Sequence, residues 1–266
     1  MRPFGIVLLL ISIYTQGQSA QDVELKGRFK FFTTDKLGNI FTITEKNDIQ
    51  KFDVSGKKLS EVNYKVLGEA SFIDASNPME IYVLYKDQNK LVYFDNMLNY
   101  RGETDLYKTL AVNNIQVVCR SYDNGIWFFD PDNYKLKKAD KSGVLLTESV
   151  NLSAITDTVI NPEFLLDDGR NVYLKVASNK LMVFDILGNY IKSITLEHFK
   201  TFQVRNSEII YSTENQLIRY QPETFVKVNV LEAYTNALGE FNYSIRVEDK
   251  RIYVHDKEGI RILDFH

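Results

Sequence analysis

The side chains best suited to acid–base or metal chemistry in this sequence are a few carboxylates at the ends of short apolar segments. They are Glu69, Asp74, Asp167 and Asp168, and carboxylate oxygens bind calcium without help from histidine. Their spacing follows no shared pattern, and each lies in or beside a turn, where acidic side chains are expected for local reasons. The sequence therefore predicts no metal and no cofactor, with a calcium ion in a central channel left open as an alternative.

Candidate nucleophiles are equally sparse. Cys119 is the single cysteine, and a catalytic thiol needs a neighbouring base. The sequence has three histidines, His198, His255 and His266, and so few histidines argue against a Ser-His-Asp arrangement. The sequence contains no Gly-rich phosphate loop and no metal-spaced set of His or Cys. We predict that Cys119 packs in a core, that His198 and His255 lie at strand ends on the surface, and that no residue is catalytic.

The elements that would position these residues repeat along the chain. One apolar strand occurs six times, as NIFTITEK, EIYVLYKD, GIWFFDPD, NVYLKVAS, EIIYSTEN and RIYVHDKE. The spacing between equivalent residues runs from 37 residues, Val172 to Ile209, to 46 residues, Ile126 to Val172. Four-stranded propeller blades repeat every 40 to 50 residues or so. The period therefore indicates a β-propeller.

Each repeat has the pattern of a four-stranded antiparallel meander. A strand such as RFKFFTTD precedes the repeated strand, and turns such as DNG between the two are typical of tight hairpins. A third strand then ends on an Asp in five of the six repeats, and a more polar fourth strand follows. We predict that these acids form turns and do no acid–base chemistry. They are Asp53, Asp95, Asp140, Asp185 and Asp264.

The ends of the chain predict how the ring closes. The sixth repeat stops after its third strand, while DVELKGR near the N-terminus supplies a spare strand. Pairing the two leaves no free sheet edge, so we predict an all-β, six-bladed propeller closed by its N-terminal strand. Trp127 is predicted to pack between neighbouring blades. The predicted blades span residues 28–65, 69–106, 114–152, 161–197, 200–231, and 241–266 with 22–27.

Composition limits the classes of partner and the cellular location. The formal charge is −3 without a long basic run, which excludes a nucleic-acid footprint. The apolar run over residues 4–14 is too short to span a bilayer and is typical of a secretory leader. We predict a signal peptide over residues 1–20, export to the periplasm or outer envelope, and no integral membrane segment. An uncleaved anchor is the alternative.

Two short segments resemble known propeller repeats. DKLGNIFTI at residues 35–43 and DNGIWFF at residues 123–129 resemble the Asp-Gly-aromatic signature of sensor-type propellers in two-component regulators. The repeat length and closing strand are similar to the six-bladed group that includes NHL-type propellers. A secreted, cysteine-poor propeller rich in Tyr, Phe, Lys and Asn also resembles envelope proteins of Bacteroidota. The resemblance implies the fold and leaves the ligand open.

The longest links between repeats are the predicted binding surface. They cover residues 104–114, 151–161 and 231–241, and long loops on a rigid scaffold concentrate binding residues. Their apolar side chains either contact a protein partner or pack beneath their own loops. These side chains are Tyr107, Leu110, Ile155, Val159, Tyr234 and Leu238.

Three functions follow from these observations. The favoured one is a non-enzymatic protein-binding or scaffold propeller of the bacterial envelope. Resemblance further suggests an accessory of an outer-membrane secretion or assembly machine. The alternatives are a metal-assisted hydrolase or lyase acting on a sugar or lactone, and a small-ligand sensor propeller.

Overall fold

A computed structural model of the chain describes residues 23–156, 159–213, 216–230 and 244–264. Within these ranges lie 24 β-strands, one short α-helix, α1 (Leu106–Leu110), and three short 3₁₀ segments. The predicted signal peptide, together with Tyr234, Leu238 and His266, falls outside the described residues. No helix among the described residues is both long and apolar enough to cross a membrane.

The strands form six four-stranded antiparallel sheets, which are the blades of a propeller. Blade 1 holds β2 (Phe29–Thr34), β3 (Ile40–Thr44), β4 (Ile49–Phe52) and β5 (Lys58–Val62). Blade 2 holds β6 (Phe72–Asp74), β7 (Glu80–Tyr85), β8 (Lys90–Asp95) and β9 (Tyr100–Asp105). Blade 3 holds β10 (Val118–Arg120), β11 (Ile126–Asp130), β12 (Lys135–Ala139) and β13 (Leu145–Glu148).

The remaining blades follow the same order. Blade 4 holds β14 (Phe164–Asp167), β15 (Asn171–Ala177), β16 (Lys180–Asp185) and β17 (Tyr190–Thr195). Blade 5 holds β18 (Phe202–Arg205), β19 (Glu208–Ser212), β20 (Leu217–Gln221) and β21 (Val226–Asn229). Blade 6 holds β22 (Ser244–Glu248), β23 (Arg251–His255), β24 (Gly259–Asp264) and β1 (Val23–Lys26).

The N-terminal strand β1 closes the ring, as predicted. It pairs antiparallel with β24, from Val23 opposite Ile262 to Lys26 opposite Gly259. Gly259 is required there because a Cβ atom on it would lie 1.9 Å from the carbonyl oxygen of Leu25. The side chain of Leu25 is buried between blades 6 and 1. Closure therefore rests on both backbone pairing and apolar burial.

Aspartates fix the turns between third and fourth strands. In blade 2, Asp95 Oδ1 accepts hydrogen bonds from the backbone N–H of Met97 at 2.8 Å and of Asn99 at 2.9 Å. The Asn99 side chain donates a further hydrogen bond to Asp95 Oδ2 at 3.0 Å, and this bond, together with the backbone bonds, lowers the pKa of Asp95 to about 2. Asp53, Asp140 and Asp185 make the same pair of backbone bonds, so the predicted turn-forming role is confirmed for these four acids.

The apolar core consists of layers between adjacent blades. Six clusters of buried side chains occur among the described residues, one at each junction between neighbouring blades. Trp127 and Cys119 lie in the layer between blades 3 and 4, which confirms both predictions of core packing. Because each blade is buried on both faces, its strands are apolar at successive positions.

Candidate functional site

A ring of polar side chains surrounds one end of the central channel. The last residue of the first strand is polar in every blade, and we call these six residues the mouth ring. They are Thr34, Asp74, Arg120, Asp167, Arg205 and Glu248. All six first strands run in the same direction along the channel. The mouth ring therefore lies at the end of the channel where each first strand leads into the second strand of its blade.

The mouth ring joins blades across their junctions. Glu248 of blade 6 accepts a hydrogen bond from Thr34 Oγ1 of blade 1 at 2.7 Å. It also accepts one from Gln203 Nε2 of blade 5 at 2.9 Å. Asp74 of blade 2 accepts the backbone N–H of Arg120 of blade 3 at 2.7 Å. These contacts are buried or partly buried, so they hold the blades in register where the channel opens.

Asp167 is the most heavily bonded acid of the mouth ring. Its Oδ2 accepts Trp127 Nε1 at 3.0 Å, Ser121 Oγ at 3.1 Å and the N–H of Tyr122 at 3.2 Å, all from blade 3. Its Oδ1 accepts the N–H of Gly169 at 2.6 Å. Burial nevertheless raises the pKa of Asp167 above its ordinary value. The hydrogen bonds of this carboxylate therefore link blade 4 to blade 3.

The other two acids considered as calcium ligands lie elsewhere. Glu69 is exposed and pairs with Lys30 at 3.2 Å. Asp168 Oδ1 accepts the backbone N–H of Arg170 at 2.8 Å and of Asn171 at 2.7 Å, which closes its own turn. In the part of the chain that the structure describes, no three His, Cys, Asp or Glu side chains lie close enough to share a metal ion.

Arg246 occupies the channel on β22, two residues before the mouth ring. Its Nε is shielded from solvent and has no hydrogen-bond partner. Burial lowers the pKa of the guanidinium, while the charges of Glu248 and Asp74 act in the opposite direction. The two arginines of the mouth ring are paired, Arg120 with Glu80 at 2.7 Å and Arg205 with Glu248 at 3.7 Å. Arg246 thus differs from both.

Aromatic rings narrow the rest of the channel. Phe31, Phe72, Phe164 and Phe202 meet edge to face in sequence, with ring centroids 5.4, 5.5 and 5.3 Å apart. The remaining cavity has a volume of about 70 Å³ and is lined by residues of both regions, Arg246 among them. Pockets for drug-sized molecules usually hold roughly 300–1,000 Å³. This cavity therefore has room for a small chemical group only.

The rim around the mouth ring has an apolar arc and a polar arc. We call Leu37, Met79 and Tyr122 the apolar arc; they lie in the first hairpin turns of blades 1, 2 and 3 and are 65%, 67% and 55% exposed. The corresponding turns of blades 4, 5 and 6 carry polar residues, the polar arc: Asp168, Arg170, Asn206, Ser207, Asp249 and Lys250.

An open cleft of about 460 Å³ lies in the polar arc between blades 4 and 5. Arg170, Asn206 and Ser207 line it, with Asp168 and Val204. Arg170 Nη1 donates to Ser207 Oγ at 3.2 Å across the junction. The cleft supplies hydrogen-bond donors and acceptors beside the apolar arc.

The four predicted binding residues that the structure describes lie on the opposite face, in the links between blades. Tyr107 and Val159 are 54% and 89% exposed, on neighbouring links. Leu110 and Ile155 are partly buried and pack against the inter-blade layers beneath them. Leu110 and Ile155 therefore pack beneath their links, whereas Tyr107 and Val159 are exposed and stay a prediction as binding residues.

The candidate nucleophile and the two described histidines lie in different parts of the ring, Cys119 in blade 3, His198 in the link after blade 4, and His255 in blade 6. Cys119 is buried, and burial raises the pKa of its thiol. His198 is exposed, while His255 ends β23 half-buried against the ring of Phe32, with centroids 5.4 Å apart. Burial also lowers the pKa of His255. His255 was predicted at a strand end on the surface; its strand-end position is confirmed, but its exposure is smaller than predicted because Phe29 and Phe32 cover it.

Comparison with known proteins supports the architecture. No model of a known protein family matches this sequence, and no curated protein is similar to it in sequence. Among solved structures, the chain is similar to a streptogramin B lyase, with 14% identity, TM-score 0.62, and coverage of 92% of this chain and 98% of that one.

Two further solved structures show the same likeness. A catalytically inactive virginiamycin B lyase from Staphylococcus aureus, solved with quinupristin, has 14% identity, TM-score 0.55 and coverage of 92% and 87%. YCF48 bound to D1 peptide has 11% identity, TM-score 0.53 and coverage of 86% and 75%. At these identities the likeness shows the propeller fold alone. The resemblance to NHL-type and Bacteroidota envelope propellers stays a prediction.

Proposed function

We propose that this protein is a non-enzymatic, protein-binding propeller of the bacterial periplasm or outer cell envelope. The observation that carries the proposal is the apolar arc of Leu37, Met79 and Tyr122. Scattered apolar side chains are ordinary on protein surfaces, but these three occupy equivalent turns of adjacent blades around one opening. A partner would cover the arc and form hydrogen bonds to the neighbouring polar cleft, as interfaces with an apolar centre and polar rim do.

Two features of the channel favour binding over hydrolysis of a sugar or lactone. Asp74 and Asp167 accept hydrogen bonds from the fold itself, which leaves them poorly placed to activate water. The cavity of about 70 Å³ is also small for such a substrate.

The similar solved structures belong to proteins with different functions. Two are described as lyases, whereas YCF48 is described as bound to a peptide. The peptide complex is consistent with protein binding here. The fold does not decide between these functions, so the proposal depends on the surface of this chain.

Site-specific cross-linking in the native envelope would identify the partner and the face that it covers. A photoreactive phenylalanine analogue at Tyr122 should cross-link to one protein, and the same analogue at Tyr107 should cross-link to it poorly. Tyr122 and Tyr107 are matched for this purpose because their exposed fractions are 55% and 54%. Tyr107 and Val159 remain the sequence-based proposal for the binding face, and the reverse result would favour them.

Affinity for the purified partner would then test the assignment directly. We expect Met79→Ser with Tyr122→Ser to weaken binding by about 2 kcal/mol or more, since buried apolar anchors carry most interface energy. Tyr107→Ser with Val159→Ser should leave the Kd nearly unchanged. Equal Kd values for wild type and the first double variant would refute binding through the apolar arc.

The location is tested separately. We propose that residues 1–20 are removed during export, on the strength of the short apolar run. The intact mass of the protein recovered from periplasmic and membrane fractions should match a chain beginning near residue 20. A full-length mass in the cytosolic fraction would contradict export.

A further inference from the structure

We propose that the central channel binds a single carboxylate group at Arg246, a role beyond that of the rim. Two shielded polar atoms in the same small cavity lack hydrogen-bond partners: Arg246 Nε and Thr201 Oγ1. Most buried polar groups in proteins are hydrogen-bonded, and an unpaired one is costly. Both residues line this cavity, so their unpaired donors indicate a ligand that accepts hydrogen bonds.

The acids around Arg246 already accept hydrogen bonds from other groups, while Arg246 Nε has no hydrogen-bond partner. Asp74 accepts two backbone N–H groups, of Ser76 at 2.9 Å and of Arg120. Glu248 accepts Thr34 and Gln203, and Asp167 accepts four donors from its own blade and from blade 3. Within the described part of the chain, no carboxylate forms an ion pair with the guanidinium of Arg246.

The lining of the cavity fits a carboxylate attached to a short apolar group. The planar guanidinium matches the two oxygens of a carboxylate, which it binds through two parallel hydrogen bonds. Hydroxyl-bearing residues, Thr33, Thr201 and Ser244, line the same cavity. Phe72 and Phe164 supply apolar walls for the carbon that follows the carboxylate.

Charge and volume favour a carboxylate over phosphate. Asp74, Asp167 and Glu248 lie around the channel and repel any anion, so a ligand with one negative charge is disfavoured less than a phosphate with two. A cavity of about 70 Å³ likewise limits the bound portion to a small group. The carboxylate could come from a free monocarboxylic acid or from a side chain or C-terminus of a polypeptide, and the same chemistry serves both.

Titration with short acids tests the free-ligand source. Calorimetry and ¹³C NMR with labelled acetate and propionate should show saturable binding to wild-type protein, and acetamide, which has the same shape without the charge, should not bind. Arg246→Gln should weaken acetate binding about tenfold or more, since it removes a charge-assisted pair of bonds. Arg219→Gln, on an exposed ion pair outside the channel, is the matched control and should bind as wild type does.

Peptides test the polypeptide source. Short peptides ending in a free carboxylate, or carrying one aspartate, are compared with their amidated and Asn counterparts. Binding of the acidic peptides but not of free acids would assign the site to a polypeptide, and the reverse would assign it to a small acid.

A second variant keeps the test valid if Arg246→Gln does not fold. Thr201→Val preserves the shape of the side chain, replaces the hydroxyl with a methyl group, and should weaken carboxylate binding several-fold. The proposal is overturned if wild-type protein binds neither the acids nor the acidic peptides, or if folded Arg246→Gln binds them as tightly as wild type. Because no partner is needed, failure here leaves the proposed protein binding untouched.

Discussion

The channel mouth and the opposite, link-bearing face present apolar side chains in different ways. At the mouth, Leu37 and Met79 lie in short turns whose N–H groups bond to Asp35 Oδ1 and Asn77 Oδ1, both within two residues. Such turns hold a side chain outward because the backbone has no room to fold back. The links are longer, so Leu110 and Ile155 pack partly beneath them. Loop length alone is therefore a poor guide to an exposed binding surface.

The rigidity of the mouth depends on closure of the ring, and opening the ring should have the largest effect. Deleting residues 22–28 removes β1, exposes the edge of β24 and uncovers the layer around Leu25. We expect the melting temperature to fall by at least about 10 °C, since 1 kcal/mol corresponds to about 2–4 °C for a domain of this size. A melting temperature equal to that of wild type would show that β1 is dispensable.

A single methyl group should weaken the same closure to a smaller extent. Gly259→Ala places a Cβ atom 1.9 Å from Leu25 O, so β1 must shift away from β24. The expected loss is about 2–4 kcal/mol of unfolding free energy, measured by denaturant titration. Gly102→Ala is the matched control, because Gly102 has the same φ of 155° but its nearest neighbour would be 3.8 Å away. Equal losses in both variants would assign the effect to backbone strain rather than to closure.

Cross-blade bonding at the mouth should matter more than an ion pair at the perimeter. Glu248→Ala leaves Thr34 and Gln203 without their acceptor in a buried setting, for an expected loss of about 2–3 kcal/mol. Glu208→Ala breaks an exposed pair with Arg219 and should cost about 0–1 kcal/mol. Chemical denaturation of both variants measures the difference. Similar values would mean that the mouth ring is not a stabilising feature.

The smallest effect is a difference in pH dependence between two aspartates. The pKa of Asp167 at the mouth is raised by burial, so its contribution to stability decreases as pH rises from 3.8 through the higher folded value. The pKa of Asp95 in a perimeter turn is lowered to about 2, so its contribution is lost as pH falls from 3.8 towards 2. Comparing stability against pH for Asp167→Asn and Asp95→Asn should show slope changes of opposite sign. Slope changes of the same sign would contradict the contrast.

Much of the fold was predictable because it depends on local repetition. The period of the repeated strand indicated six blades, and Asp95 and its equivalents marked the turns through bonds to their own backbone. The mouth ring escaped prediction, although its signal is in the sequence: the first strand of every repeat ends on a polar residue. Arg246 had no such signal, because only the arrangement of the six blades shows that its Nε lacks a hydrogen-bond partner.

The sequence by itself determined the number of blades and the turns, because these depend on a repeated period or on neighbouring residues. Counting strands against that period also identified the strand that closes the ring. The tertiary structure decided which side chains are available. Burial of Leu110 and the unpaired Nε of Arg246 depend on packing contacts between blades rather than on the residues next to them in sequence. Such contacts follow from the packing of the whole ring, and no local pattern encodes them.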